Sequence, residues 1–105
     1  MTSSTWTPVA SLDDLAASDA IAVVAGGKEI ALYLIDGNVF ATANRCTHGD
    51  ARLCDGWVEG HEIECPLHQG KFDVHTGAAT GAPAEVALAS YPARLAGDRV
   101  EIQLD

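Results

Sequence analysis

Two short segments decide the fold of this chain: Cys46-Thr47-His48 and Cys65-Pro66-Leu67-His68, with residues 49–64 between them. Each segment places a thiol N-terminal to an imidazole, so the two together offer two sulfur and two nitrogen ligands. Because thiolates and imidazoles are ligands that transition metals prefer, the pattern predicts a metal centre held by two loops. The four candidate ligands are Cys46, His48, Cys65 and His68.

Two kinds of metal centre use two cysteines and two histidines. A zinc finger usually pairs Cys with Cys and His with His, whereas here each segment mixes the two residue types. In a Rieske centre, two imidazoles replace two thiolates on one iron of a [2Fe–2S] cluster. The mixed pairs match the Rieske pattern C-x-H…C-x-x-H. One [2Fe–2S] cluster is therefore the predicted cofactor, and a structural zinc site is the alternative.

Length and charge restrict the class of protein and its partners. The 105 residues fit one small domain. Fifteen acidic against six basic residues give a net charge of -9. This charge argues against binding to nucleic acid or to anionic membrane lipids, and it suits a basic protein partner. The first residues show no signal peptide, and no apolar run is long enough to span a bilayer, so a cytoplasmic location is expected.

The flanks of the chain have the alternation of β-strands. Lys28–Ile35 carries apolar residues on both faces, and Asp36-Gly37-Asn38 joins it to Val39–Ala43 in a hairpin. Three further elements are predicted: a second hairpin of Tyr91–Leu95 with Arg99–Leu104, a strand at Ile21–Val24, and one helical turn capped by Ser11. The fold class is therefore all-β.

The middle of the chain differs from its flanks, because residues 45–81 contain all three cysteines and all four histidines. Its strand candidates are short: Trp57–Val58, Ile63–Glu64 and Lys71–Asp73. We interpret residues 45–81 as a cluster-binding lobe of loops and short strands. This lobe is inserted into an antiparallel β-barrel or sandwich base built from residues 1–44 and 82–105, and residues 1–105 form one domain.

Two stretches carry a family resemblance: Cys46-Thr47-His48-Gly49-Asp50-Ala51-Arg52 and Glu64-Cys65-Pro66-Leu67-His68-Gln69-Gly70-Lys71-Phe72-Asp73. They closely resemble the ferredoxin components of bacterial aromatic-ring-hydroxylating dioxygenases, of which the naphthalene and nitrotoluene types are nearest. The resemblance implies a Rieske fold in which Cys46 and Cys65 bind one iron. It also implies that His48 and His68 bind the other iron through Nδ1 and turn their Nε2 edges to solvent. By the same resemblance, Gly81-Ala82-Pro83-Ala84 covers the cluster.

Four positions depart from the high-potential, respiratory type of Rieske protein. That type has two further cysteines where this chain has Ala51 and Leu67, and a Ser and a Tyr where it has Gly70 and Phe72. Hydrogen bonds from hydroxyl groups to cluster sulfurs stabilise the reduced state, so their loss lowers the reduction potential. The sequence therefore predicts a potential on the order of −150 mV, towards the low end of the Rieske range.

The function implied by the resemblance is that of a soluble, monomeric one-electron carrier. It takes electrons from a flavin-containing, NAD(P)H-dependent ferredoxin reductase and passes them to a terminal Rieske oxygenase. The chain is then an electron-transfer component and not an enzyme. Two alternatives stay open at this point: a Rieske-like small subunit of an assimilatory nitrite reductase, and a zinc-stabilised interaction module.

Residues near the motif receive simpler interpretations. His61 and His75 are expected at the surface, Cys54 as a small half-buried residue, and Trp57 and Phe72 as packing beside the cluster. Acidic residues are predicted to form a negative rim that steers docking. They are Asp50, Asp55, Glu59, Glu62 and Glu64.

Overall fold

The strand predicted at Lys28–Ile35 lies in the middle of the larger base sheet. The computed structural model describes residues 6–47, 51–67, 69–82 and 86–104. Over these ranges the chain forms three antiparallel sheets, one α-helix and one 3₁₀ helix. The α-helix α1 is Leu12–Ala16 and the 3₁₀ helix is Leu53–Asp55. The strands are β1 (Thr7–Ser11), β2 (Ala20–Ala25), β3 (Lys28–Ile35), β4 (Asn38–Ala43), β5 (Trp57–Glu59), β6 (Glu62–Glu64), β7 (Lys71–Asp73), β8 (Ala79–Gly81), β9 (Ser90–Tyr91), β10 (Ala93–Ala96) and β11 (Arg99–Ile102).

Two sheets, with strand orders β1-β11-β10 and β2-β3-β4-β9, contain strands from residues 7–43 and 90–102, the parts of the chain predicted to form the base. The hairpin predicted at the start of the second sheet is confirmed, with Ile35 paired to Asn38. The two residues of its turn, Asp36 and Gly37, both have positive φ, as a type I′ turn requires. The predicted helical turn is also confirmed, since the Ser11 side chain accepts a hydrogen bond from the backbone N–H of Asp14.

The strand β3 contributes to two separate apolar cores. Its even-numbered side chains, Ile30, Leu32 and Leu34, pack in a core with the helix and with β11. Its odd-numbered side chains pack in a second core, which also contains both predicted thiol ligands; the buried members of that core are Ala31, Tyr33, Ile35, Cys46, Leu53, Ile63, Cys65, Phe72, Val74 and Leu88. The alternation of β3 thus joins the cysteine-bearing loops to the base.

The C-terminal hairpin differs from the prediction at both strands. Instead of one strand at Tyr91–Leu95, the chain forms β9, which pairs with β4, and β10, which pairs with β11. Pro92 lies between them, and a proline cannot donate a hydrogen bond to a sheet ladder. The last strand also ends at Ile102 and does not continue to Leu104.

The sequence pattern also missed a buried acid in that hairpin. Glu101 is buried on β11, where its Oε1 accepts hydrogen bonds from the Arg94 guanidinium at 2.9 Å and 2.8 Å. The same guanidinium lies over the ring of Trp6 at 4.2 Å. A buried carboxylate needs such a partner, because desolvation penalises an unpaired charge.

The third sheet has the order β5-β6-β7-β8 and lies within residues 57–81. Its predicted strands are confirmed, and β8 is an additional strand that the pattern missed. Ile63 and Phe72 are paired and fully buried, as the packing role predicted for Phe72 requires. The packing predicted for Trp57 is wrong, because this residue lies on the outer face of edge strand β5 and is 55% exposed. In the part of the chain described, no helix is long and apolar enough to cross a membrane.

Candidate metal centre

The first ligand loop leaves the base at the end of β4 and returns through the 3₁₀ helix. Its two arms are joined by a β-bridge between Arg45 and Arg52. Just inside that bridge, the N–H of Cys46 donates to the carbonyl of Ala51 at 2.9 Å. Cys46 is 3% exposed. Its thiol is therefore held at the inner edge of a short loop closed by backbone hydrogen bonds.

The second ligand loop follows β6. The N–H of Cys65 donates to the carbonyl of Gly70 at 2.7 Å, which closes the loop. Gln69, just before that glycine, has a φ of 62°, so the backbone turns sharply there. The N–H of Leu67 donates to Sγ of Cys65 at 3.4 Å. An N–H bond to sulfur stabilises negative charge on that sulfur, which suits a thiolate ligand.

The structure brings the two candidate thiols together. Burial raises the pKa of the Cys65 thiol to about 11; the Leu67 N–H opposes this shift, and the neighbouring Cys46 thiol adds to it. None of the three cysteines, all of which lie in the described ranges, is part of a disulfide. Two buried, adjacent thiols without a disulfide fit the sulfur half of an iron–sulfur site. Since the protonated form of Cys65 is favoured at neutral pH, metal binding must displace its proton.

The predicted histidine ligands, His48 and His68, lie outside the described residues. Within the described ranges, no group of three or more His, Cys, Asp and Glu side chains is arranged to hold a metal ion. The structure therefore brings together Cys46 and Cys65, and the complete ligand set stays a prediction.

Comparison with protein families decides which kind of centre this is. The model of the Rieske [2Fe–2S] domain matches residues 5–92. The chain belongs to the Rieske family. One Rieske-type [2Fe–2S] cluster is accordingly its cofactor, and the zinc alternative is wrong.

Relatives of this Rieske domain include ferredoxins of known systems. A Ralstonia sp protein, the ferredoxin component of naphthalene 1,2-dioxygenase/salicylate 5-hydroxylase systems, is 48% identical over 95% of this chain and 96% of its own. The ferredoxin of carbazole 1,9a-dioxygenase from Nocardioides aromaticivorans IC177 is 36% identical with a TM-score of 0.87, covering 94% of this chain and 97% of its own. A chain from a complex of reduced oxygenase and oxidised ferredoxin in carbazole 1,9a-dioxygenase is 30% identical with a TM-score of 0.85, covering 96% and 94%. The resemblance stated from the sequence and the Rieske fold are confirmed.

The first ligand loop of the Rieske domain is also tied to a distant segment. The hydroxyl of Thr47 donates to the carbonyl of Val86 at 2.6 Å. Two residues further on, the N–H of Leu88 donates to the carbonyl of Gly77 at 2.7 Å. These bonds hold Val86 and Leu88, which follow the segment that the sequence predicts to cover the cluster. Pro83 and Ala84 of that segment lie outside the described residues.

The four positions that predict a low potential carry Ala51, Leu67, Gly70 and Phe72, and all four lie among the described residues. Ala51 and Leu67 are half-buried and pack against the core that contains the two thiols. Gly70 is buried in the second loop, and Phe72 is fully buried below it. Neither a cysteine nor a hydroxyl-bearing side chain therefore stands at the positions where the respiratory type has them.

The predicted acidic rim is partly neutralised in this Rieske domain. Nζ of Lys71 lies 2.9 Å from a carboxylate oxygen of Glu59 and 4.0 Å from one of Glu64. The hydrogen bond with Glu59 raises the pKa of Lys71. Asp55 is exposed and Glu62 is half-buried, whereas Asp50 lies outside the described residues. Most of the described rim therefore lies on the outer face of the lobe sheet around one lysine.

The remaining predicted positions agree with the structure. Cys54 is half-buried on the 3₁₀ helix. His61 and His75 are exposed, and their rings lie 6.1 Å and 5.4 Å from the centre of the Phe40 ring. His61 lies four positions before Cys65 and His75 seven positions after His68, so neither belongs to the two ligand segments. Both mark the contact between the lobe turns and the base strand β4.

Proposed function

We propose that this protein is a soluble one-electron carrier of an aromatic-ring-hydroxylating oxygenase system. The observation that supports the proposal most directly is the adjacent pair of buried thiols, Cys46 and Cys65, on two backbone-closed loops in a Rieske-family chain. When bound, a Rieske cluster gains and loses one electron. The chain itself holds the cluster, excludes water from the sulfur side and brings the site to its partners.

In this proposal Cys46 and Cys65 bind one iron, and His48 and His68 bind the other. Buried thiols suit the iron that stays ferric, because thiolates donate negative charge strongly. Neutral imidazoles suit the iron that is reduced, because the site is then less negative and accepts an electron more easily. We also propose that residues 45–81 act as the cluster-binding lobe and that residues 1–44 and 82–105 act as its base.

The proposed partners are two proteins. The electron donor is a flavin-containing, NAD(P)H-dependent ferredoxin reductase, and the acceptor is a terminal Rieske oxygenase. The relative from carbazole 1,9a-dioxygenase, which is found in complex with an oxygenase, supports the second partner. Chemistry on an organic substrate then belongs to the oxygenase. The net charge of -9 supports protein partners and disfavours nucleic acid and membrane surfaces. A monomer in the cytoplasm, where NAD(P)H is available, fits this role.

The nitrite reductase alternative has less support. Curated relatives that cover nearly all of this chain include ferredoxin components of oxygenase systems. A nitrite reductase subunit would stay bound to a large subunit throughout turnover, whereas a carrier must dissociate from each partner. Purification of the protein from its native host would distinguish them, because co-elution with a siroheme protein is expected under the alternative.

The ligand assignment is tested by replacing each histidine in turn. His48→Ala and His68→Ala should abolish the Rieske-type EPR signal of the reduced protein. His61→Ala and His75→Ala are matched controls, because these exposed histidines lie in the same lobe and contact Phe40. Cys46→Ser and Cys65→Ser should also lose the cluster, with Cys54→Ser as their control. A Rieske signal that survives either His48→Ala or His68→Ala would refute the assignment.

The carrier role is tested with purified components. Stopped-flow absorbance should show one electron entering each molecule from a reductase and NAD(P)H. The reduced protein should then be reoxidised by a terminal oxygenase, and product should form when all three proteins are present. Reduction that is never followed by reoxidation would contradict the proposed place of this protein between two partners.

A further inference from the structure

Asn44 is a fully buried polar residue that the proposed function does not use directly. It follows the last residue of β4 and lies two positions before Cys46. Its exposed fraction is 0%, and it is one of few buried polar or charged residues among those described. A buried polar side chain is stabilising only when its hydrogen-bonding groups are satisfied. The partners of Asn44 therefore indicate why an amide stands there.

Asn44 makes three hydrogen bonds, one to strand β3 and two to the 3₁₀ helix. Its N–H donates to the carbonyl of Glu29 at 3.2 Å, which extends the β3–β4 ladder by one residue. Its carbonyl accepts from the N–H of Leu53 at 2.7 Å. Its side-chain Oδ1 accepts from the N–H of Cys54 at 2.9 Å. Asn44 thus connects the base sheet to the 3₁₀ helix that ends the loop.

The last two bonds give the 3₁₀ helix a cap from outside its own sequence. The first N–H groups of a helix have no partner within that helix. The residue at the usual capping position, Arg52, makes no side-chain capping bond. Asn44 accepts the first two of these N–H groups with its carbonyl and its amide oxygen. Asparagine is among the best capping residues, and here it acts from ten positions upstream.

The other half of the amide has no partner. The Nδ2 group of Asn44 is buried without a hydrogen-bond acceptor in the described part of the chain. A buried donor without a partner is destabilising. Turning the amide over would place the N–H₂ group against the N–H of Cys54, so the observed orientation is the one that satisfies the capping bond. The hydrogen bond to the amide oxygen therefore accounts for asparagine at this position, and the amide nitrogen does not.

We infer that Asn44 is a positioning residue for the cluster, and that its amide oxygen sets where the first ligand loop returns to the base. The inference rests on the proposed role of Cys46 as a ligand. Going inward from Asn44, the two arms of the loop are joined by the Asn44–Leu53 bond, the Arg45–Arg52 bridge and the Cys46–Ala51 bond. Loss of the acceptor at the outer end of this series frees the 3₁₀ helix and, through it, the loop that presents Cys46.

Two variants separate the oxygen from the rest of the side chain. Asn44→Leu keeps the approximate volume but leaves the N–H of Cys54 buried without an acceptor. Asn44→Thr keeps a neutral oxygen acceptor and removes the unpaired N–H₂ group. A buried donor that loses its partner favours the open loop by roughly tenfold. The Leu variant should therefore release its cluster about tenfold faster to an iron chelator, and the Thr variant should stay within about threefold of the wild type.

A second readout does not need the cluster. In the apo protein, hydrogen exchange at the amides of Leu53 and Cys54 should be at least tenfold faster in Asn44→Leu than in the wild type. Thr42→Val is the matched control. Thr42 is also a fully buried polar residue of the same chain segment, and its hydroxyl bonds to Tyr33 and Ala43. This control should lower overall stability without a selective effect on those two amides or on cluster release.

The outcomes are distinct. Equal cluster release and equal exchange in wild type and Asn44→Leu would overturn the inference. Equal damage in the Leu and Thr variants would also overturn it, since the acceptor would then not be the decisive group. Failure of the wild-type protein to bind a Rieske cluster would instead refute the proposed function, while the exchange experiment would still report on the cap.

Discussion

The hydroxyl of Thr47 and the carbonyl of Val86, 39 positions apart in the chain, form a 2.6 Å hydrogen bond. Thr47 lies between two proposed ligands, Cys46 and His48, and Val86 follows the segment predicted to cover the cluster. The bond therefore joins the first ligand loop to the chain that follows the predicted covering segment. Both partners are at the surface.

Removing this bond should loosen the cluster. Thr47→Val keeps the shape of the side chain and loses the donor, so we expect a loss of about 1 kcal/mol in the free energy of unfolding. Spontaneous bleaching of the visible absorbance should become severalfold faster. Thr80→Val is the control, because Thr80 is an exposed threonine on β8 of the same lobe. Equal bleaching rates in the Thr47 variant and the wild type would show that the Thr47–Val86 hydrogen bond does not protect the cluster.

The reduction potential should lie towards the low end of the Rieske range, on the order of −150 mV. The physical reason is that Gly70 and Phe72 offer no hydroxyl donor to the cluster sulfurs, while the described donor to Cys65 is the backbone N–H of Leu67. Protein-film voltammetry measures the midpoint directly. A midpoint above zero would contradict the argument from these two positions.

Tyr33 should make the protein sensitive to alkali. Burial raises the pKa of this phenol above its ordinary range, against the opposing hydrogen bond with Thr42. In the unfolded chain, the phenol of this tyrosine ionises near pH 10. The neutral buried phenol therefore stabilises the fold fully below that pH, and this contribution is lost as pH rises above it. Tyr33→Phe loses about 1 kcal/mol near neutrality through the missing hydrogen bond.

Urea unfolding at several pH values distinguishes the two effects. The difference in unfolding free energy between wild type and Tyr33→Phe should shrink above about pH 10, because the variant has no phenol to ionise. Parallel stability curves for the two proteins up to pH 11.5 would mean that the buried phenol does not contribute to alkaline unfolding.

Gly56 should not tolerate a side chain. Its backbone φ of −90° is open to any residue, but a Cβ would lie 1.9 Å from the carbonyl oxygen of Glu64, next to Cys65. Gly56→Ala must push β6 away, at a cost of about 1–3 kcal/mol, and should shift the visible spectrum of the bound cluster. Gly60→Ala, in the turn at the other end of this hairpin, meets no atom within 4 Å. It should cost about 1 kcal/mol through its positive φ and leave the spectrum unchanged.

Docking to the reductase should weaken with salt. With a net charge of -9, the protein should meet a basic partner faster at low ionic strength. The bimolecular rate of reduction is expected to fall severalfold between ~20 mM and ~500 mM salt. Glu62→Gln tests whether negative charge on the β5-β6-β7-β8 sheet contributes to this rate. Asp13→Asn, on α1, is the control. A rate independent of salt would remove electrostatic steering while leaving electron transfer itself intact.

Much of the base was predictable because its strands follow a period of two. The apolar faces of Lys28–Ile35 and the Asp36-Gly37 turn were sufficient for the first hairpin. Strand β1 was missed because Pro8 interrupts its alternation, although at a sheet edge a proline is tolerated. Pro92 had the opposite effect, since it divides a continuous apolar stretch between two sheets.

The types of the candidate ligands were predictable from the sequence, whereas the long-range contacts around the site were not. Residue types and spacing were sufficient for the two thiols, since each short segment places its cysteine on a closed turn. The exposure of Trp57 depends on which face of the sheet its side chain occupies. The capping role of Asn44 depends on which distant N–H group its amide oxygen meets. Such long-range relationships leave no periodic signal in a single sequence.

The strand β3, which supplies alternate side chains to two cores, restricts how this protein can evolve. Substitutions at Ile30 or Leu32 can be compensated within one core without disturbing Tyr33 in the other. Insertion or deletion of one residue has no such compensation. It would exchange the two sets of side chains at once and present each core with the wrong volumes. The length of β3 should therefore be more constant among relatives than its composition.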